Sequence, residues 1–366
     1  MMCREFGGCI MNNLLQYLIF MIVGLVGMYA VYKPQVNKYE KTLNFTYTML
    51  PLPYILGFYA LGSIAAFFMS ENADFIETLT VTRVFVPLIL TAVIYVAGFC
   101  LSERLFYGVT IVCVALTVWL QPIGDGNAYP QLPAWGLQLL IFVLACIYCL
   151  GGVISNFLPH TLLIPQIMLL LGLSMMSALG AAPLYIAFCA AMLIGLLGGY
   201  LSINFYEVKI EIDNAAAVTL SYLVCSLLLL NIGELGLPSC AILTSVFWAE
   251  LLVALWRRFF VVHSGSLAEN TNYYLAAQNL SVKGLVMSVL RVSTIVVFIA
   301  WFQLYAVNGY SLLIISLCIT MWLNASLVLP NGGKRSLKEI NREFLADLKQ
   351  GIAETKEALS KKRKDE

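Results

Sequence analysis

The chain has 366 residues, of which 61% are hydrophobic and only 11% are charged, and its mean hydropathy is +0.87. Because a soluble domain carries about 25% charged residues, this composition excludes an ordinary soluble globular protein. The formal net charge of +1 gives no basic excess for a nucleic-acid partner, so we expect none.

Apolar runs of membrane-spanning length follow one another along nearly the whole chain. Each is close to the roughly 20 residues that a helix needs to cross the hydrocarbon core. We therefore predict an all-α polytopic membrane protein with about eleven transmembrane helices. A count of ten or twelve is an alternative, because the fourth run is short and the sixth is rich in Met and Leu. The predicted spans lie near residues 14–32, 51–69, 81–100, 105–121, 135–155, 162–179, 183–203, 215–232, 237–256, 286–306 and 310–329.

The first run is predicted to be a retained span and not a cleavable signal peptide. It is longer than the usual apolar core of a signal, it lacks a small-x-small cleavage site, and the basic stretch KPQVNKYEK follows it. Met11 is an alternative start to Met1.

Basic residues predict the orientation of the chain in the membrane. With eleven spans, 19 of the 21 Lys and Arg residues fall on the side that holds the C-terminus. The opposite side carries mainly acids, such as Glu71, Asp74 and Asp125. We therefore expect the N-terminus outside and the C-terminus in the cytoplasm.

Cysteines and glycines within the runs predict helix packing. The cysteines show no paired metal-binding spacing apart from Cys146-x-x-Cys149 inside a run, so we interpret them as small apolar packing residues. Gly195, Gly198 and Gly199 lie in the seventh run, where small residues allow helix backbones to approach closely.

Two connections on the predicted cytoplasmic side contain several polar groups. In residues 204–214, NFYEVKIEIDN, charged and apolar residues alternate. This segment is either a solvated loop with Lys209 as a local counter-charge or part of a site. In the connection after the fifth run, Asn156 and His160 flank a proline, and a lone histidine there predicts a hydrogen-bonded boundary residue.

A long loop follows the ninth run and begins with two arginines. Arg257 and Arg258 are explained by topology alone, but adjacent arginines beside His263 and several asparagines are also suited to a phosphate.

The last part of the chain has a different composition from the rest. We divide the protein into a membrane body, residues 1–329, and a tail, residues 330–366. Apolar residues of the tail recur on one helical face from Ser336, and Ser336-x-x-Glu339 predicts a capping box. An amphipathic cytoplasmic helix is expected, which lies either on anionic lipid or the protein's own loops, or on a partner protein.

Taken in order, the cytoplasmic connections resemble those of the polyprenyl-phosphate N-acetylhexosamine-1-phosphate transferases of the glycosyltransferase 4 type. The likeness runs from Lys33-Pro34 to about Gly284 and is closest to the GlcNAc-1-phosphate transferase branch. The matching segments are 98–102 for the family's G-x-x-D-D, 156–158 for the start of N-F-M-D-G, 204–217 for N-x-P-A-K-I-F-M-G-D, 257–258 for R-R, and 264–270 for S-x-x-A-x-N.

The resemblance implies a membrane enzyme that transfers a sugar-1-phosphate from a UDP-sugar to undecaprenyl phosphate. It implies Mg²⁺ held by carboxylates and basic residues on the phosphates. Positions carried over to substrate or lipid-phosphate binding are Asn156, Asn204, Lys209, Asn214, Arg257, Arg258 and His263.

This chain departs from the family where the family places its acids and histidines. The paired aspartates become Leu101 and Ser102, and the next motif's aspartate becomes Pro159. The magnesium-binding aspartate becomes Asn214, and the histidine cluster becomes residues 272–274, Asn-Tyr-Tyr. Neither Leu nor Pro coordinates Mg²⁺.

The first hypothesis is therefore a catalytically inactive relative with no catalytic residue, no metal site and no cofactor. It would bind a membrane lipid such as undecaprenyl phosphate, a protein of a membrane complex or a second copy of itself. We expect it in the cytoplasmic (inner) membrane of a bacterium, as a lipid-carrier-binding or scaffolding subunit of cell-envelope glycan assembly.

Two alternatives remain open. A divergent but active transferase would use Mg²⁺ with Glu103, Glu211 and Asp213 as its candidate catalytic residues. A transporter would need ionisable groups in the membrane, where Glu250 is the clear acid inside a run. A pairing with Arg257, two turns along the same helix, would account for Glu250 without transport.

Overall fold

A computed structural model describes residues 14–31, 33, 52–69, 78–120, 133–156, 158–178, 184–203, 212–230, 232–262, 266–304 and 309–328. Within these ranges every regular element is helical. The α-helices are α1 (Leu14–Val31), α2 (Leu52–Met69), α3 (Thr78–Cys100), α4 (Glu103–Leu120), α5 (Ala134–Ile154), α6 (Pro159–Ala178), α7 (Leu184–Ile203), α8 (Asn214–Leu230), α9 (Ile232–Leu235), α10 (Leu237–Leu243), α11 (Ser245–Trp256), α12 (Asn272–Asn279), α13 (Val282–Gln303) and α14 (Gly309–Val328).

The helices make this a membrane-embedded helical protein. Six of the described helices are long and apolar enough to span a bilayer, and a bent pair makes up to seven. Four shorter apolar helices, within α2, α3, α8 and α14, add to these. A helical segment thus lies at each of the eleven predicted positions, while the count of eleven spans and their orientation stay predictions. The predicted tail lies outside the described residues.

The ninth predicted span is not the continuous helix that we expected over 237–256. Helix α10 ends at Leu243, α11 starts at Ser245, and the chain bends by 64° between them. Thr244 occupies the break, where its hydroxyl donates to the carbonyl oxygens of Cys240 and Ala241 at 3.1 and 3.0 Å. Before it, Gly236 has a φ of 77°, a left-handed conformation that glycine adopts without steric cost. The segment is therefore a broken span or a re-entrant loop.

The loop predicted after Arg257 also contains helical structure. The helix of α11 continues as a π-helical turn over Arg257–Val261, and a 3₁₀ turn over Ala268–Asn270 precedes α12. A hydropathy pattern misses these elements because they are short and polar.

Helices α7 and α8 form the centre of the protein. α7 packs on α6 and α2, α8 packs on α5 and α3, and almost every described side chain of both is buried. In contrast, α1 exposes apolar side chains such as Leu15, Ile22 and Val26, a surface suited to hydrocarbon.

Glycines allow the closest helix crossings. A Cβ atom at Gly24 would lie 2.6 Å from the carbonyl oxygen of Met192, and one at Gly199 would lie 2.8 Å from that of Leu25. A Cβ at Gly195 would overlap the α1 backbone at Met21. Close packing is thus confirmed for Gly195 and Gly199.

The expectation of close helix packing is wrong for Gly198. A Cβ at Gly198 meets no heavy atom within 4 Å. Neighbouring positions on one helix thus differ because only one helical face crosses α1.

Buried polar contacts tie the helices together. The Gln166 amide donates to the Ser221 hydroxyl at 2.9 Å, and the hydroxyls of Thr117 and Tyr222 are 2.5 Å apart. His160 is fully buried in the first turn of α6, at the helix end where the sequence places it. Its role as a boundary residue stays a prediction. Among the eight described cysteines none forms a disulfide, and five are buried, which agrees with packing.

Candidate functional site

Three of the predicted binding residues lie together in one cleft. Asn156, Asn214 and Arg258 line it, and its volume is about 660 Å³. The cleft lies where the end of α5 meets the start of α8, beside the π-helical turn. Its other described lining residues are Tyr107, Leu150, Val153, Ile154, Ser266, Leu267 and Ala268.

Asn156 lines the cleft and joins the two helix ends that meet there. It follows the C-cap residue of α5, and its side-chain nitrogen donates to the carbonyl oxygen of Ile212 at 2.6 Å. Ile212 is buried and directly precedes Asp213 and Asn214. Asn156 therefore holds the start of α8 against the end of α5, in addition to facing the cleft.

Asp213 caps α8. Its Oδ1 accepts a hydrogen bond from the backbone N–H of Ala216 at 2.5 Å, and its carbonyl oxygen accepts one from Ala217 at 2.9 Å. Aspartate is favoured at this position because the first N–H groups of a helix have no partner within the helix. The next residue, Asn214, is exposed and reaches the cleft.

Glu103 is connected to the cleft through one neighbour. It begins α4, after the short turn at Leu101 and Ser102, and is exposed. The Tyr107 hydroxyl, one turn later, donates to Glu103 Oε1 at a long 3.4 Å and also lines the cleft.

The two adjacent arginines have different surroundings. Arg258 lines the cleft. Arg257 instead donates through Nη1 to the carbonyl oxygen of Asn270 at 3.2 Å and through Nη2 to Asn272 Oδ1 at 2.6 Å. Arg257 therefore stabilises the connection that follows it, which its place in the sequence did not predict.

One wall of the cleft is the short turn of residues 266–270, which is stabilised by hydrogen bonds within the turn. The N–H of Ser266 donates to Glu269 Oε2 at 3.0 Å, and the N–H of Glu269 donates to the Ser266 hydroxyl at 3.3 Å. This reciprocal pair is a capping box. Its Ser-x-x-Glu spacing is visible in the sequence and would have predicted the turn. The box fixes Leu267 and Ala268 where they face the cleft.

Other predicted positions fall elsewhere. Leu101 is 39% exposed, whereas Tyr273, at the family's histidine cluster, is 1% exposed and belongs to the core. Asn204, Lys209, Glu211 and His263 lie outside the described residues.

The cleft combines a positive end with apolar sides. Among its described lining residues, Arg258 supplies a guanidinium, Asn156 and Asn214 supply carboxamides, and Tyr107 supplies a phenol. Guanidinium groups bind phosphate oxygens with two parallel hydrogen bonds. Leu150, Val153, Ile154 and Leu267 complete the wall. This chemistry suits an amphiphilic anion.

The described residues around the cleft include no group of carboxylates suited to magnesium. No group of three His, Cys, Asp or Glu side chains suited to a metal occurs within the described ranges. Of the described carboxylates near the cleft, Asp213 caps a helix, Glu103 accepts from Tyr107, and Glu269 accepts from the Ser266 N–H. Mg²⁺ demands near-octahedral oxygen ligands, which this described set does not provide.

No protein-family model matches the chain, and no curated protein sequence matches it.

Proposed function

We propose that this membrane protein binds an anionic lipid, such as a polyprenyl phosphate, and carries out no sugar transfer. The observation behind the proposal is the cleft, where Arg258 lies with Asn156 and Asn214 beside an apolar wall. These three residues come from separate parts of the chain and are positions that the family resemblance assigns to phosphate binding.

The chemistry of the cleft favours a lipid phosphate over a free nucleotide sugar. Arg258 is the cation among the described lining residues, and its guanidinium can bind a single phosphate group through two hydrogen bonds. The aliphatic side chains from α5 offer a surface on which a hydrocarbon chain gains free energy by leaving water.

The proposed lack of turnover is supported by the side chains at the positions where this chain differs from the family's motifs. Asn214 offers a neutral amide in the cleft, and Leu101 and Pro159 offer no ligand. Tyr273 is packed in the core. A reaction that gathers several phosphates needs charge compensation by metal ions, and these residues do not supply its ligands.

We infer the setting from the sequence pattern. Eleven spans, an outside N-terminus and a cytoplasmic C-terminus would put the cleft on the cytoplasmic side of a bacterial inner membrane. There the protein would act as a lipid-carrier-binding or scaffolding subunit of envelope glycan assembly, as a homodimer or with another membrane protein.

Binding of undecaprenyl phosphate to purified protein in nanodiscs tests this proposal. Arg258→Ala is expected to weaken binding by about 10- to 100-fold, because a hydrogen bond to a charged group contributes roughly 1.5–3 kcal/mol. Arg291→Ala is the matched control, since Arg291 is exposed on α13 and does not line the cleft. Equal binding by the wild type and the Arg258 variant would contradict the proposal.

A divergent, active transferase is the second candidate. The observation that favours it is the place of Glu103 and Asp213, which flank the cleft residues Tyr107 and Asn214. Release of UMP from UDP-N-acetylhexosamines, with undecaprenyl phosphate and Mg²⁺ present, would support it. That release must be lost in Glu103→Gln and in Glu211→Gln combined with Asp213→Asn; an unchanged background rate would reject it.

A further inference from the structure

A buried carboxylate lies outside the cleft and is not used by the proposed function. Glu250 belongs to α11, is 1% exposed, and faces the first turn of α12. Its Oε2 accepts from the backbone N–H groups of Asn272 at 2.8 Å and Tyr273 at 3.3 Å. Its Oε1 accepts from the side-chain nitrogen of Asn272 at 3.2 Å. The carboxylate therefore satisfies N–H groups at a helix N-terminus, where negative charge is favourable.

Asn272 connects this carboxylate to Arg257. Its side-chain nitrogen faces Glu250, and its side-chain oxygen accepts from Arg257 Nη2 at 2.6 Å. The Asn272 amide thus bridges Glu250 and Arg257, for which the sequence predicted a direct pairing. Because both ends of the amide are engaged, its orientation is defined by its partners.

The hydrogen bonds continue from Arg257 to the cleft wall. Arg257 Nη1 donates to the carbonyl oxygen of Asn270. The side-chain nitrogen of Asn270 donates to the carbonyl oxygen of Ser266 at 2.8 Å, and Ser266 lines the cleft. An unbroken series of contacts thus joins the buried carboxylate to the wall.

We propose that Glu250 is a positioning residue that holds the cleft wall, residues 266–270, in place through Asn272 and Arg257. The role in ligand binding rests on the proposed function, whereas the role in holding the wall does not. Glu250 sits buried on α11, so it ties the wall residues 266–270 to a helix of the protein core. This also gives the buried acid a role without transport.

Exchanging the two interacting groups tests the contact. Glu250→Gln leaves two side-chain amide donors facing each other, and Asn272→Asp leaves two carboxylates facing each other. The combination of both changes restores a donor–acceptor pair and leaves Arg257 facing a carboxylate. A direct contact therefore predicts that each single change is harmful and that the double change is milder than either.

Hydrogen exchange of backbone amides measures the wall without any ligand. In either single variant, exchange in peptides covering 266–275 is expected to be about tenfold faster or more, the effect of losing a charge-assisted hydrogen bond. Exchange in α7 should stay unchanged, which shows that the fold is intact. In the double variant, protection of 266–275 should return to within about threefold of the wild type, since coupled residues are not additive. Gln278→Ala is the control, because Gln278 is exposed at the far end of α12.

Binding of undecaprenyl phosphate in nanodiscs is then measured on the same variants. We expect weaker binding in both single variants and recovery in the double variant.

Unchanged exchange in the single variants, or no recovery in the double variant, would overturn the contact. A loosened wall with unchanged binding would overturn the role in the cleft and leave the proposed function intact. Failure of the wild type itself to bind would reject the proposed function, while the exchange data would still decide whether Glu250 holds the wall. If Glu250→Gln does not fold, Asn272→Ala provides the single change.

Discussion

Asp213 is the N-cap of α8 and also a candidate catalytic residue of the active-transferase alternative. Substitutions distinguish these two roles. As an N-cap, it needs a side-chain oxygen that accepts from the Ala216 N–H, and asparagine supplies one equally well. Asp213→Ala is expected to lower the free energy of unfolding by about 1 kcal/mol, whereas Asp213→Asn should leave it nearly unchanged. Thermal unfolding in detergent, followed by circular dichroism, compares the two. Equal losses in both variants would show that the charge matters and that the cap does not.

The site was partly visible in the sequence at the scale of single residues. Asn156, Asn214 and Arg258 were predicted because the spacing of the connections resembled a family, and the structure brings them to one cleft. The contact between Glu250 and Asn272 was not predicted, although Glu250 was singled out as an acid inside a run and Asn272 as part of the family's histidine cluster. Their contact depends on α12 folding back onto α11, a tertiary arrangement that neither periodicity nor hydropathy encodes.

At the scale of elements, the seventh helix offers a comparison within one turn. Gly195 crosses the α1 backbone, whereas Gly198 has open space around its Cα. Gly195→Ala is expected to destabilise the protein by about 1–3 kcal/mol, since overpacking forces the helices apart. Gly198→Ala should be neutral or slightly stabilising, because alanine favours helices over glycine. Reversible unfolding in mixed micelles measures both, and a neutral Gly195→Ala would contradict the tight crossing.

Long apolar helices were predictable, and short polar ones were not. Helices such as α5 and α7 follow from runs of about 20 apolar residues, and their bounds lie within a few residues of the prediction. The break at Thr244 was missed because the run 237–256 is apolar enough overall to predict one span, and Thr244 and Ser245 are too small to interrupt that pattern. The break itself is the change of direction of 64° between α10 and α11, which the hydropathy of the run does not encode.

At the scale of the whole molecule, the cleft, the arginines and the predicted tail belong to one side of the membrane only if an even number of spans, such as α13 and α14, separates Arg258 from the tail. The six helices that are long enough to span leave this open, since four shorter helices and one bent pair must also be assigned. The distribution of Lys and Arg is the physical argument, because basic loops are retained in the cytoplasm.

Reporter fusions test this orientation directly. Green fluorescent protein fused after Lys41 or after Glu366 is expected to fluoresce, because both points carry the basic excess of the predicted cytoplasmic side. Alkaline phosphatase, which is active only outside the cytoplasm, is expected to be active when fused after Asp74 or after Asp125, in acidic connections almost without Lys or Arg. Each reporter at the other's positions serves as the control and should be silent. Active alkaline phosphatase after Glu366 would place the tail outside the cytoplasm. With α13 and α14 both spanning, the cleft would lie on that same side, and a cytoplasmic cleft would have to be abandoned.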